Sequence, residues 1–329
     1  MQKMHTYPMT KKIFNACCAL LISLYFVSAP SYADISKGAS AYASGNYAGA
    51  YAEWLGSANK GEMIAQYNMG TLYLSGKGVA KDMSKAREWF TKAAKQGHAK
   101  SQYNLAEALR IGVGGPALPS EAFSWYLKAA QQGLGIAQCY VGIGYEAGEL
   151  IKADMAEAIA WYQKSAAQND ACGEYRLSSL YFSGKGIEKS EEKAIVLLKD
   201  AARKEWTDAQ SDLGYLYMTG KSVKQDFSQA LSWLEKAALR GDAVAFANLS
   251  TMYANGTGVE KNFVTAYVNI LIAYRLAEQD KERKAYAAGR DDLASSMSIK
   301  MIAQADSLAN NWHEGDQLPK AAAVNPLDR

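Results

Sequence analysis

The stretch Ala65-Gln-Tyr-Asn-Met-Gly-Thr-Leu-Tyr73, followed by Gly76-Lys-Gly78, Asp82 and Trp89-Phe90, decides how this chain is read. Its closing aromatic pair returns as Trp125-Tyr126, Trp161-Tyr162, Leu197-Leu198, Trp233-Leu234 and Asn269-Ile270, each 36 residues after the last. Trp54-Leu55 precedes the first of these by 35. Five equal intervals without insertion or deletion mark an array of stacked repeats. In such an array function is expected on an extended surface, not in a catalytic pocket.

Within the unit spanning 62–97, Ala65, Met69, Leu72 and Tyr73 follow the i, i+4, i+7, i+8 spacing of one apolar helix face. Gly70 recurs as Ala106, Gly142, Ser178, Gly214 and Ser250, and a column of small residues predicts two helix backbones passing close together. Gly76 and its counterparts Gly112, Gly148, Gly184, Gly220 and Gly256 end that helix, since glycine takes the left-handed conformation at little steric cost. Asp82, Asp154, Ser190, Asp226 and Asn262 then occupy one column of N-caps, with Leu118-Pro119 substituting in the third unit. Asp154 with Glu157 and Asp226 with Gln229 have capping-box spacing. A second helix carries Ala86, Trp89, Phe90, Ala93 and Ala94, and stops near Gly97, Gly133 and Gly241; Asn169 and Glu205 break that last column. No unit buries its stripe alone, so each needs its neighbour. The Trp161 ring, read as a core aromatic, is expected to contribute about 3–5 kcal/mol.

These columns resemble the Sel1-like repeat, a 36-residue relative of the tetratricopeptide repeat. The resemblance rests on Ala65 to Tyr73, Gly76-Lys-Gly-Val79, and Asp82 followed by Lys85-Ala86, Trp89-Phe90 and Lys92-Ala-Ala-Lys-Gln-Gly97; it covers 62–277 well and 34–61 weakly. Ala288 to Trp312 resembles the end of bacterial members. The resemblance implies an all-α, right-handed α-solenoid of stacked helix-loop-helix units with a C-terminal capping helix. It further implies a bacterial periplasmic or secreted product that binds a protein or peptide, with first helices lining a concave face. The expected organisation is a signal peptide over 1–33, a solenoid over 34–277 with an incomplete unit at 34–61, one capping helix over 278–312, and a loose tail over 313–329.

The export reading comes from the residues. Lys3, Lys11 and Lys12 precede a mainly apolar run from Ile13 to Ser28, and Ser31-Tyr32-Ala33 offers small residues to a signal peptidase. That run is shorter than the roughly 20 residues a spanning helix needs, so cleavage before Asp34 is expected, with no anchor left behind. Three of the 36 Lys and Arg lie in this segment, which holds no acid, leaving 33 bases against 33 acids. A nucleic-acid footprint needs a clustered basic surplus, and none is expected. Two cysteines remain, Cys139 and Cys172, one helical turn out of register on first helices. An oxidising compartment permits a disulfide between them, but two small buried thiols are the expected state.

The candidate contact column is Asn68, Asn104, Tyr140, Arg176, Asp212 and Asn248, which the apolar pattern does not dictate, flanked by Tyr67, Tyr103 and Tyr175. Asn and Tyr hydrogen-bond a peptide backbone while offering flat contact area; a solvated helix face is the plainer reading of each residue. Enzymatic signals are weak. His98 and His313 lie outside any metal-binding pattern. Gly214 to Ser222 only imitates a phosphate loop, lying between helices and not after a strand. Ser57-Ala-Asn-Lys60 and Ser190-Glu-Glu-Lys193 match SxxK without its partner motifs. The reading is therefore a monomeric interaction scaffold, not an enzyme, without cofactor or metal. A secreted host-interaction factor and a β-lactam-binding or cell-wall enzyme are the alternatives.

Overall fold

Each second helix begins where a side chain satisfies its free N–H groups. Asp82, Ser190, Asp226 and Asn262 accept from the backbone N–H three residues on, and Asp154 accepts from both Ala156 and Glu157. Leu118 provides no such bond, and Pro119 opens its helix instead. The structure, a computed structural model, describes residues 33–321, so the export signal expected over 1–33 lies, but for Ala33, outside the described residues. It is all-α, and no strand occurs among the described residues.

The helices are α1 (Ala33–Ala43), α2 (Tyr47–Asn59), α3 (Met63–Ser75), α4 (Met83–Lys95), α5 (Ala99–Ile111), α6 (Pro119–Gln131), α7 (Gly135–Ala147), α8 (Met155–Ala167), α9 (Ala171–Ser183), α10 (Glu191–Arg203), α11 (Thr207–Thr219), α12 (Phe227–Leu239), α13 (Ala243–Asn255), α14 (Phe263–Leu276), α15 (Asp280–Ser295) and α16 (Ile299–Asn310). Two compact units divide the chain after Ser179, within α9.

In the first unit α1 packs on α2, α3 on α4, α5 on α6 and α7 on α8, and each hairpin also packs on the next. The segment at 34–61 is thus a complete hairpin, with Trp54 Nε1 donating to Ile35 O at 3.2 Å. Neighbouring hairpins are tied by a buried glutamine that the apolar pattern does not reveal. Gln66, Gln102 and Gln138 donate through Nε2 to Ala58 O, Ala94 O and Ala130 O, each at 3.2 Å. Each bond gives a last-turn carbonyl of the preceding second helix a second donor beside the backbone N–H of Gly61, Gly97 or Gly133, and so ties two helices through one acceptor.

The aromatic pair splits its work. Phe90, Tyr126 and Tyr162 are 1%, 3% and 0% exposed and form the core. Trp125 and Trp161 are only half-buried. Their rings instead lie under the lysine one turn on, Lys128 at 3.9 Å and Lys164 at 4.0 Å from the ring centres, as Trp89 lies under Lys92. The expectation for Trp161 therefore belongs to Tyr162, because adjacent helical side chains point about 100° apart and here the second of the pair faces the core; in the first unit Trp89 is buried beside Phe90 as well. The small-residue column clears room for that second ring more than for a backbone. A Cβ built on Gly70 would lie 2.6 Å from the Phe90 ring, and one on Gly142 would lie 2.6 Å from the Tyr162 ring.

The second unit repeats the scheme, with α11 on α12 and α13 on α14, and Gln210 Nε2 donating to Ala202 O at 3.1 Å. The expected single capping helix is broken into α15 and α16, both packed on α14. Ser298 caps α16 by accepting from Met301 N, and the run Ser295-Ser296 disfavours helix interior, so a hairpin replaces one long rod. Beneath it α14 is buried continuously from Val264 to Ala273. The expected loose tail is partly docked: Leu318 and Ala321 pack against this core. Helix ends keep their geometry where their residues change. Gly76 has φ 71°, while Asn169 and Glu205, which break the Gly97 column, still adopt φ 56° and 65°.

Candidate functional site on the first-helix faces

Unit 1 presents the contact column on α3, α5, α7 and α9, and most of its expected members are not free surface. Tyr67, Tyr103, Tyr140 and Tyr175 are buried, as is Asn104 at 3% exposed. The reason is that the tyrosines fill space between a hairpin's second helix and the next first helix. Tyr67 lies 4.6 Å from the His98 ring, and Tyr103 packs on Tyr126 and Tyr140 at 5.9 and 5.7 Å. Tyr140 stacks on Tyr126 at 4.7 Å. Asn68 and Arg176 stay half-buried.

Over α5 the face is closed by a polar network that sequence reading missed. Glu107, 2% exposed, accepts from the Tyr126 hydroxyl and from Arg110 Nη2 at 2.9 Å. Burial, followed by the Glu107 charge, holds the Tyr126 phenol far above its ordinary range. Arg110 lies over the Tyr140 ring at 5.9 Å. Burial opposes its charge, but the bonds to Glu107 outweigh that and leave the guanidinium above its usual range. The i, i+3 spacing of Glu107 and Arg110 on α5 was the available signal, and it also fits an ordinary solvated pair.

Toward α9 the same face opens. The Tyr162 hydroxyl donates to Glu146 Oε2 at 2.8 Å, and burial raises the phenol while the nearby Arg176 charge partly offsets this. Arg176 Nε is buried without a hydrogen-bond partner. Cys139 on α7 and Cys172 on α9 are joined by a disulfide, with α-carbons 6.0 Å apart and both residues 0% exposed. The expected pair of thiols is thus replaced, because the one-turn offset still leaves the α-carbons within bridging reach.

In unit 2, Asp212 on α11 and Asn248 on α13 are half-buried, and Asn248 Nδ2 has no hydrogen-bond partner. Beside them Asp242 caps α13, accepting from Ala245 N at 2.6 Å and Ser211 Oγ at 2.8 Å. The residue is half-buried but its carboxyl is held out of water, which with the Asp208 charge pushes its pKa up to about 7. In unit 1 the equivalent column holds His98, which accepts from Ser101 N through Nδ1; burial, then Lys100, lowers its pKa to about 4. Neither SxxK serine is presented as a nucleophile: Ser57 is 3% exposed, and Ser190 caps α10.

The Sel1 repeat matches residues 64–98, 99–134, 135–170, 173–205, 207–242 and 244–278, which is more than half of the chain. The chain belongs to the Sel1 repeat family. Its fold is the all-α solenoid of that family, whose members serve generally as protein-interaction scaffolds. A Sel1 repeat protein from Oxalobacter formigenes superposes with a TM-score of 0.64 at 28% identity, covering 75% of this chain and 98% of that one. A protective antigen present in uropathogenic Escherichia coli strains, displaying an SLR fold, gives 0.53 at 25% identity, covering 89% and 72%. Among curated proteins none matches this chain. No described helix is long and apolar enough to cross a membrane.

Proposed function

We propose that this Sel1-repeat chain is an exported, non-catalytic scaffold that binds a protein or peptide along its first-helix faces. Contact is made by Asn68 and Arg176 in the first unit and by Asp212 and Asn248 in the second. One observation carries the reading: on faces otherwise filled by their own side chains, Arg176 Nε and Asn248 Nδ2 remain without a partner. A buried donor left unpaired costs about 1–3 kcal/mol, and a ligand carbonyl or carboxylate met as these half-buried side chains turn outward would remove that cost. Export is supported by the basic and apolar N-terminal segment and by the disulfide, which persists in an oxidising compartment.

The test is affinity capture from envelope extract with the chain from Asp34 onward, comparing wild type with Arg176→Ala and Asn248→Ala combined. Loss of a captured protein on the double variant, with helicity unchanged by circular dichroism, is the expected result. Undiminished capture by that variant would remove the proposal.

A further inference from the structure

The C-terminal segment rests on the second unit as an extended strand of chain. Ala321 N donates to Thr265 Oγ1 at 3.1 Å, and Asn262 Nδ2 donates to Ala321 O at 3.4 Å. Both backbone polar groups of Ala321 are thus read by side chains at the start of α14. Lys320 Nζ donates to Glu235 Oε1 on α12 at 3.0 Å, and the Tyr253 hydroxyl on α13 lies near enough to favour its charge. Leu318 packs against the apolar core, and Pro319 favours an extended conformation next to it.

The two clamping residues depart from the repeat. At the cap position the other units hold Asp82, Leu118, Asp154, Ser190 and Asp226. A capping carboxylate accepts but cannot donate, whereas Asn262 caps α14 through Oδ1, accepting from Thr265 N at 2.9 Å, and keeps its amide N–H for the tail. At the Thr265 position the other units hold Lys85, Glu121, Glu157, Lys193 and Gln229, long side chains that would occupy the strand's place. The hold itself is slight: the Lys320 side chain is 58% exposed, and Leu318 and Ala321 are only partly buried.

From this we infer that the groove between α12, the end of α13 and the start of α14 is a docking site for an extended partner segment of the order apolar–Pro–Lys–small. The chain's own tail fills it as a displaceable self-ligand. The groove uses none of the first-helix residues proposed above, so the two sites stand or fall separately.

The experiment uses the chain from Asp34 with Leu318→Asp and Lys320→Glu, which releases the tail, and a fluorescein-labelled peptide of the sequence 315–321. Anisotropy is expected to show saturable binding at least tenfold tighter to the released variant than to wild type. Peptide carrying Lys320→Glu is expected to lose that binding and regain it on a chain carrying Leu318→Asp, Lys320→Ala and Glu235→Lys, whose own tail offers no charge to the new lysine. Equal or absent binding to both chains, with helicity retained, would overturn the inference. If the double variant loses helicity, Ala321→Pro, which removes only the N–H given to Thr265, takes its place under the same two readings.

Discussion

At the scale of single residues, the repeated aromatic pair holds two different jobs that its composition does not separate. Tyr162 is fully buried and its hydroxyl is satisfied by Glu146, whereas Trp161 is half-buried under Lys164. Tyr162→Ala is therefore expected to cost about 3–5 kcal/mol, and Trp161→Ala about 1 kcal/mol, since an exposed cation–π contact contributes roughly 0.5–1. Urea denaturation of the two variants separates them, and equal losses would contradict the division of roles. The left-handed column makes a second case. Asn169 holds φ 56° where Gly97 stands in another unit, so Asn169→Gly is expected to raise stability by about 0.5 kcal/mol once glycine's larger unfolded-state entropy is set against relief of backbone strain. Glu205→Gly gains less, because it also removes the ion pair to Arg240. Thermal melts of both variants give the comparison.

At the scale of helices and hairpins, stability comes from what passes between neighbours. Gln102 illustrates this: its Nε2 serves the Ala94 carbonyl and its Oε1 accepts from Gln132 Nε2 at 2.7 Å. Gln102→Met keeps the volume and removes both bonds, while Ala94 O retains the Gly97 N–H, so the expected cost is about 1–2 kcal/mol at roughly 0.5–1.5 per net bond; a loss under about 0.5 kcal/mol in urea would argue against the tie. The disulfide closes 33 residues between α7 and α9. A loop of that length corresponds to roughly 3–4 kcal/mol of unfolded-state entropy, so the paired variant Cys139→Ser, Cys172→Ser should unfold at a clearly lower urea midpoint. Thiol alkylation of the native chain under denaturation, read by mass, should label neither cysteine until a reductant is added. The aromatic-pair and cap columns were legible in sequence because helix starts, ends and core faces are local patterns of side-chain type. The glutamine column stood in the same repeat but was passed over, since glutamine's meaning there depends on a carbonyl eight residues earlier in another helix.

Across the molecule, two cap positions of the same column respond oppositely to pH. His98 in the first unit stays neutral down to about 4 against an ordinary 6.5. Between those values the unfolded chain binds a proton that the folded one refuses, so stability is complete above pH 6.5 and falls as pH drops toward 4. Asp242 in the second unit has its pKa raised to about 7 from 3.8. There the folded chain holds the extra proton, so this contribution is complete below pH 3.8 and is lost as pH rises through 7. Each slope is about 1.4 kcal/mol per pH unit, and the two oppose each other between pH 4 and 6.5. His98→Asn should flatten the acid-side loss relative to wild type, and Asp242→Asn should remove the loss toward neutral pH. Melting both variants from pH 4 to 7 checks the signs, and parallel curves for wild type and variants would contradict them.

By itself the sequence determined the repeat length, the helix-loop-helix unit, the caps and the family, because each of these is written in residue types at fixed spacing along one helix. Only the tertiary structure decided which of the candidate residues face outward. Tyr140 and Asn104 look like surface positions until the next hairpin covers them, whereas Arg176 stays half-buried with its Nε unpaired. It also decided that Cys139 meets Cys172, and that Ala321 lies against α14 to meet Asn262 and Thr265. Those outcomes depend on distances between elements far apart in the chain, and spacing along a single helix carries no record of them.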